Sequence, residues 1–211
     1  MKYKAVIFDL DGVICFTDKY HYQAWKQMAD RMGIYFDEQI NNRLRGVSRR
    51  ESLEIILERY DRKLSEEEKQ QLAEEKNAVY VQLLEKMSEK DLSKEVKDTL
   101  DALRRKGCKL AIGSSSKNAK LILNRLGLGN YFDAISDGTN ISKSKPHPEV
   151  FLKAAEFLHM SPADCLIVED ARAGVKAANE GGFDSAGLGE AATYRQVSYA
   201  LKGFGDLVDI I

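Results

Sequence analysis

KAVIFDLDG, residues 4–12, is an apolar run that halts at an aspartate and turns on a glycine. A buried parallel strand ends this way when it reaches the carboxyl edge of its sheet. Similar runs follow at KLAIG 109–113, DAIS 133–136, CLIVE 165–169, DSAGL 184–188 and DLVDI 206–210. Helical patterns lie between them, at 94–106, 117–126, 148–159, 171–181 and 190–201, each flanked by Gly or Pro signals. Strands alternating with helices predict an α/β fold with a Rossmann-like parallel-sheet core covered on both faces.

Residues 17–92 break the alternation, offering only helical patterns at 18–32, 37–44, 49–60 and 65–87. The expected architecture is a core domain of residues 1–16 and 93–211 with an inserted all-helical cap domain at 17–92. Ser65 followed by Glu68 reads as a capping box, so the charged run at 65–69 is a solvated helix start.

A chain of 211 residues can form one large domain or two modest ones. Lys and Arg number 32 against 33 for Asp and Glu, which argues against a nucleic-acid or membrane-surface partner. The three cysteines, Cys15, Cys108 and Cys165, are too few and too scattered for a disulfide framework or a zinc site, so a reducing cytoplasm is expected. Asp9 and Asp11 interrupt the opening run before it is long enough for a signal peptide. Nowhere do about 18 apolar residues run together. Neither export nor a membrane span is expected.

The chemistry gathers at the strand ends. Asp9 and Asp11 follow the first strand; taken alone, the pair reads as a solvated strand-to-loop turn. The second strand runs into Ser114-Ser115-Ser116-Lys117-Asn118, where hydroxyls at a helix start serve either as caps or as a seat for phosphate. Lys145-Pro146 precedes a helix, and the fourth strand ends in Glu169-Asp170. Ligands of open α/β sheets collect where these segments converge. Two unit charges about 4 Å apart interact by about 4 kcal/mol at an effective dielectric of about 20, so clustered carboxylates and a phosphate require cations among them. Lys145 supplies one. Oxygen donors of this kind suit Mg²⁺, and metal-assisted phosphoryl transfer is the natural reading.

These motifs, in this order, resemble the haloacid dehalogenase superfamily of phosphotransferases. Within it, the chain is similar to the phosphomutase family acting on β-glucose 1-phosphate, through Thr17, His21 and Trp25, Gly46-Val47-Ser48-Arg49 with Ser52, Lys76-Asn77 and Ser114-x-Ser116-Lys117-Asn118. The resemblance implies an isomerase that passes through an aspartyl-phosphate enzyme and glucose 1,6-bisphosphate as primer and intermediate. Asp9 would be the nucleophile and Asp11 the general acid and base. Ser114 and Lys145 would bind the transferring group. Mg²⁺ would be held by Asp9, Asp11 through its carbonyl, Glu169 and Asp170. Thr17, His21 and Lys76 would control Asp11 from the hinge, while Trp25, Gly46, Val47, Arg49, Ser52, Ser116, Lys117 and Asn118 would bind substrate. Without the resemblance, His21 reads as an interface histidine and Trp25 as a core residue.

The implied partner is a small sugar phosphate, with no nucleic acid or membrane, and the chain is expected to act as a monomer. A sugar-phosphate phosphatase of the same fold is the rival function. Two departures from the family stand out: Leu92-Ser93-Lys94-Glu95 replaces a Pro-Gly return from the cap, and Ala171 replaces a hydroxyl residue after the acidic pair.

Overall fold

Ala5–Phe8 forms β1, and all four of its side chains are buried. Val6 and Phe8 join one apolar cluster and Ala5 and Ile7 another, as the two-residue period of a strand covered on both faces requires. The computed structural model describes residues 2–211. In it β1 lies between β2 (Lys109–Gly113) and β4 (Cys165–Glu169); β3 (Ala134–Ser136) extends the sheet on one side, β5 (Asp184–Gly187) and β6 (Tyr199–Ala200) on the other. The order is β3-β2-β1-β4-β5-β6, with every pairing parallel.

One face of the sheet packs on Val96, Leu100 and Leu103 of α5 (Lys94–Arg105) and on Ile122 and Leu123 of α6 (Ala119–Arg125). The other packs on Val150, Phe151 and Ala154 of α7 (Glu149–Phe157) and on Ala177 and Ala178 of α8 (Arg172–Glu180). Full burial of one such large apolar side chain contributes about 1.5–3 kcal/mol. The sheet centre is therefore a rigid base for whatever its strand ends carry.

Between β1 and α5 the longer elements are α1 (Asp18–Arg31), α2 (Glu38–Asn42), α3 (Arg49–Leu57) and α4 (Glu66–Leu84). Ser48 and Ser65 open α3 and α4 with capping boxes closed by Glu51 and Glu68. These helices surround a third apolar cluster, which includes Trp25, Met28, Phe36, Leu53 and Ile56. Tyr20, Tyr80 and Leu84 belong instead to the sheet-side cluster, so α1 and α4 reach from one to the other.

Two expectations fail near the C-terminus. DLVDI is not a strand: Leu207–Ile210 is a short helix, α9, because Phe204 and Leu207 bury at helical spacing and Asp206 accepts from the amides of Lys202 and Gly203. Residues 190–201 are not a helix either. A 3₁₀ turn spans Gly189–Thr193, and the chain then runs beside β5 as β6, with the Ser198 and Leu201 amides donating to Ser185 and Gly187 carbonyls. Among the described residues no helix is long and apolar enough to cross a membrane.

Candidate active site

The sheet order reverses between β1 and β4, and Asp9 and Glu169 sit at the carboxyl ends of those neighbouring strands. Lys145 lies fully buried between them. It donates to Asp9 Oδ1 and, at 2.6 Å, to Glu169 Oε1. Burial opposes its charge, but the two carboxylates outweigh that penalty and hold the ammonium above its ordinary range. The Lys145-Pro146 peptide is cis. Glu169 Oε2 accepts from the amides of Asp170 and Ala171, both at 2.9 Å. Gly12 has φ +94°, and a Cβ there would collide with the Asp170 carboxylate, so that turn admits only glycine.

Carboxylate oxygens of Asp9, Glu169 and Asp170 lie within 4.8 Å of one another. Lys145 answers the charge of the first two, but among the described residues nothing donates to the Asp170 carboxylate. Burial, then the carboxylates of Glu169 and Asp9, push that acid up to about 8. An all-oxygen cluster with one unanswered carboxylate fits a hard divalent cation such as Mg²⁺.

Asp11 turns the other way. Its Oδ1 accepts from the Thr17 amide at 2.8 Å and its Oδ2 from the Thr17 hydroxyl at 2.5 Å, while Thr17 Oγ1 accepts from Tyr80 at 2.9 Å. His21 Nε2 stands 3.7 Å from Asp11 Oδ2. Burial pushes the Asp11 acid up to about 7, against the lowering effect of Thr17. Lys76 closes the chain, 3.0 Å from His21 Nδ1 and 4.5 and 4.6 Å from the ring centres of Trp25 and Tyr80. Burial, with Arg49 nearby, holds Lys76 well below its ordinary range; burial, then Lys76 and Arg49, do the same to His21. Tyr80 is the member that sequence reading missed. Its place four residues after Lys76 on α4 was the available signal.

A cavity of about 420 Å³ joins these groups to the helical wall. Of the four arginines at 43–50, Arg43 pairs with Glu58, Arg45 with Asp18, and Arg50 with Glu54 and Glu66. Arg49 alone has no carboxylate partner among the described residues, and burial lowers its pKa. Gly46, Val47 and Ser52 line the same wall; Trp25 does too while belonging to the helical cluster, so it is both core and cavity. Ser114, Ser116, Lys117 and Asn118, which follow β2, line the cavity as well. The Ser114 and Ser116 hydroxyls accept from the amides of Ser116 and Asn118 on the turn ahead of α6, whose N-cap, Asn118, makes no side-chain cap, so the serines line the cavity without capping the helix. Because α6 starts only at Ala119, Lys117 and Asn118 lie on the turn ahead of it.

Acidic residues on adjacent strand ends, a buried lysine between them and a capped cavity define a phosphotransferase-type site on a parallel sheet. The chain belongs to the haloacid dehalogenase-like hydrolase family, whose family model matches residues 3–182. It is 42% identical over 206 residues to the β-phosphoglucomutase of Bacillus subtilis (strain 168), covering 97% of this chain and 91% of that one. A crystal structure of β-phosphoglucomutase from Clostridium difficile superposes with a TM-score of 0.91 at 39% identity, covering 97% of this chain and 93% of that one. The chain is also 33% identical over 184 residues to a phosphorylated carbohydrates phosphatase of Thermotoga maritima, covering 86% of this chain and 82% of that one. The resemblance drawn from the motifs is borne out at the level of the family and of its phosphomutase members.

Proposed function

We propose that this protein is a Mg²⁺-dependent phosphomutase that interconverts β-glucose 1-phosphate and β-glucose 6-phosphate through an aspartyl phosphate and a glucose 1,6-bisphosphate intermediate. Residues 17–92 act as a cap over a core of 1–16 and 93–211, and the enzyme works as a cytoplasmic monomer on small sugar phosphates.

A mutase must grip two phosphates at once. One observation supports this reading: Arg49, which among the described residues has no carboxylate partner, lines the same cavity as Ser116, Lys117 and Asn118 and as Asp9, Ser114 and Lys145. Guanidinium suits phosphate geometry, and a buried arginine without a carboxylate is stabilised when an anion arrives.

Asp9 is the nucleophile. Lys145 occupies its Oδ1, and nothing among the described residues donates to Oδ2. As the new Asp9 O–P bond forms, the sugar O–P bond breaks, and Asp11 gives its proton to the leaving sugar oxygen. In the return step Asp11 takes a proton from the attacking hydroxyl. An acid near 7 can do both at neutral pH. Ser114 and Lys145 hold the transferring group. Thr17, His21 and Lys76 keep Asp11 turned toward the hinge until substrate draws the cap closed, which favours sugar over water as acceptor. Mg²⁺ held by Asp9, Glu169, Asp170 and the Asp11 carbonyl would neutralise charge on the phosphoryl oxygens. Trp25, Gly46, Val47 and Ser52 shape the sugar pocket.

Similarity to the Thermotoga maritima phosphatase favours a second reading, hydrolysis of a sugar phosphate. A product assay separates the two. β-Glucose 1-phosphate primed with bisphosphate should yield glucose 6-phosphate far faster than inorganic phosphate, with the α-anomer inert; predominant phosphate release would select the phosphatase.

A further inference from the structure

Asn77 follows Lys76 on α4, and its Oδ1 accepts from Asn118 Nδ2 at 2.9 Å. Asn77 comes from α4 and Asn118 from the turn between β2 and α6, and both line the cavity. Their bond ties the Asn118 carboxamide to α4. A carboxamide has two N–H donors on nitrogen and an acceptor on oxygen, whereas a phosphate oxygen only accepts from it. Asn118 therefore serves an anion only with its nitrogen toward the cavity; the flipped amide would turn an oxygen on the anion. With Asn77 Oδ1 accepting one Nδ2 hydrogen, as the structure has it, the second Nδ2 hydrogen is left for a ligand.

The surroundings keep both partners in place. The Asn118 amide nitrogen donates to Ser116 Oγ at 3.1 Å, which fixes its main chain. Asn77 sits within a 19-residue helix beside Lys76, whose Nζ packs against the Trp25 and Tyr80 rings. Among the described residues neither side chain has a charged partner that would compete for the bond.

We propose that Asn77 is a positioning residue for the phosphate not undergoing transfer, acting through Asn118 rather than on substrate itself. The proposal rests on the bisphosphate reading given above. Its test is a double-mutant cycle on the full-length Mg²⁺-loaded enzyme with Asn77→Ala, Asn118→Ala and the double variant, following KM and kcat for β-glucose 1,6-bisphosphate with melting curves as a check on folding. Asn77→Ala should raise KM about 3–10-fold, the size of one neutral hydrogen bond, with kcat moving less than about twofold. The double variant should match Asn118→Ala alone, because a positioning residue has nothing left to position. A loss from Asn77→Ala that persists in full on the Asn118→Ala background, or that falls on kcat, would overturn the proposal. If Asn118→Ala itself leaves the bisphosphate KM unchanged, the second phosphate site is wrong and the proposal falls with it. That result is distinguishable because it appears without any change at Asn77.

Discussion

Lys145 bridges Asp9 and Glu169, donating to one oxygen of each from a fully buried position at the seam between β1 and β4. The bridge couples the stability of the sheet edge to the site. Among the described residues a single cation answers two buried carboxylates, and the third, Asp170, has no donor. This imbalance underlies the first two predictions.

Replacing Lys145→Met leaves Asp9 and Glu169 buried without their cation. Breaking a buried pair from one side costs about 3–5 kcal/mol. The variant should melt well below wild type in EDTA and recover part of the difference in Mg²⁺, because the metal can supply the missing charge. Differential scanning calorimetry with and without Mg²⁺ checks both points.

In metal-free protein the acids of Asp11 and Asp170 stand at about 7 and about 8, above their unfolded values. The folded state then binds more protons than the unfolded one across this window. Stability from these groups is full below about pH 4 and is lost as pH rises toward 8. Melting temperature in EDTA should carry this downward contribution, and Mg²⁺ should reduce or reverse it. Isothermal titration at pH 7 in buffers of different ionisation enthalpy should register proton release on Mg²⁺ binding.

Arg49→Ala should lower kcat/KM for glucose phosphates about 10–100-fold, the range of a charge-assisted hydrogen bond to phosphate. Arg43→Ala, which breaks only the exposed pair with Glu58, should stay within about twofold. Steady-state kinetics on the two variants side by side test the selection of Arg49 from its neighbours.

Ala171 is the N-cap of α8, with extended backbone at φ −114° and ψ 148° and no side-chain cap. Serine there can accept from an amide of the first turn. Ala171→Ser should stabilise the protein by about 1 kcal/mol and raise Tm by about 2–4 °C. The departure noted at this position therefore bears on stability, and a thermal melt measures it.

The fold was legible where patterns are local. β1, β2 and β4 are apolar runs, and Asp9 and Glu169 mark the ends of β1 and β4, so strand positions and site location were legible in the same residues, whereas the strand order is set by pairing across the sheet. Ser65 announced its helix through a capping box, and the structure adds a second at Ser48. The misreadings lie where partners decide. DLVDI is apolar enough for either a strand or a helix, and only the burial of Phe204 with Leu207 selects the helix. Tyr199–Ala200 is a strand because β5 has a free edge beside it, which no period within 190–201 reveals. At the site, Tyr80 reaches Thr17 and Asn77 reaches Asn118 across 63 and 41 residues of sequence. The helical spacing of Tyr80 from Lys76 signals a shared face, but no local pattern names the partner of a bond of that separation.

All of this turns on one covalent step at the tip of β1. Purified enzyme mixed with β-glucose 1,6-bisphosphate and quenched in acid should yield, by peptide mass spectrometry, a phosphoryl group on Asp9, absent from an Asp9→Ala control and discharged by added β-glucose 1-phosphate. A phosphoryl group on any other residue, or wild-type turnover by the Asp9→Ala protein, would contradict the account.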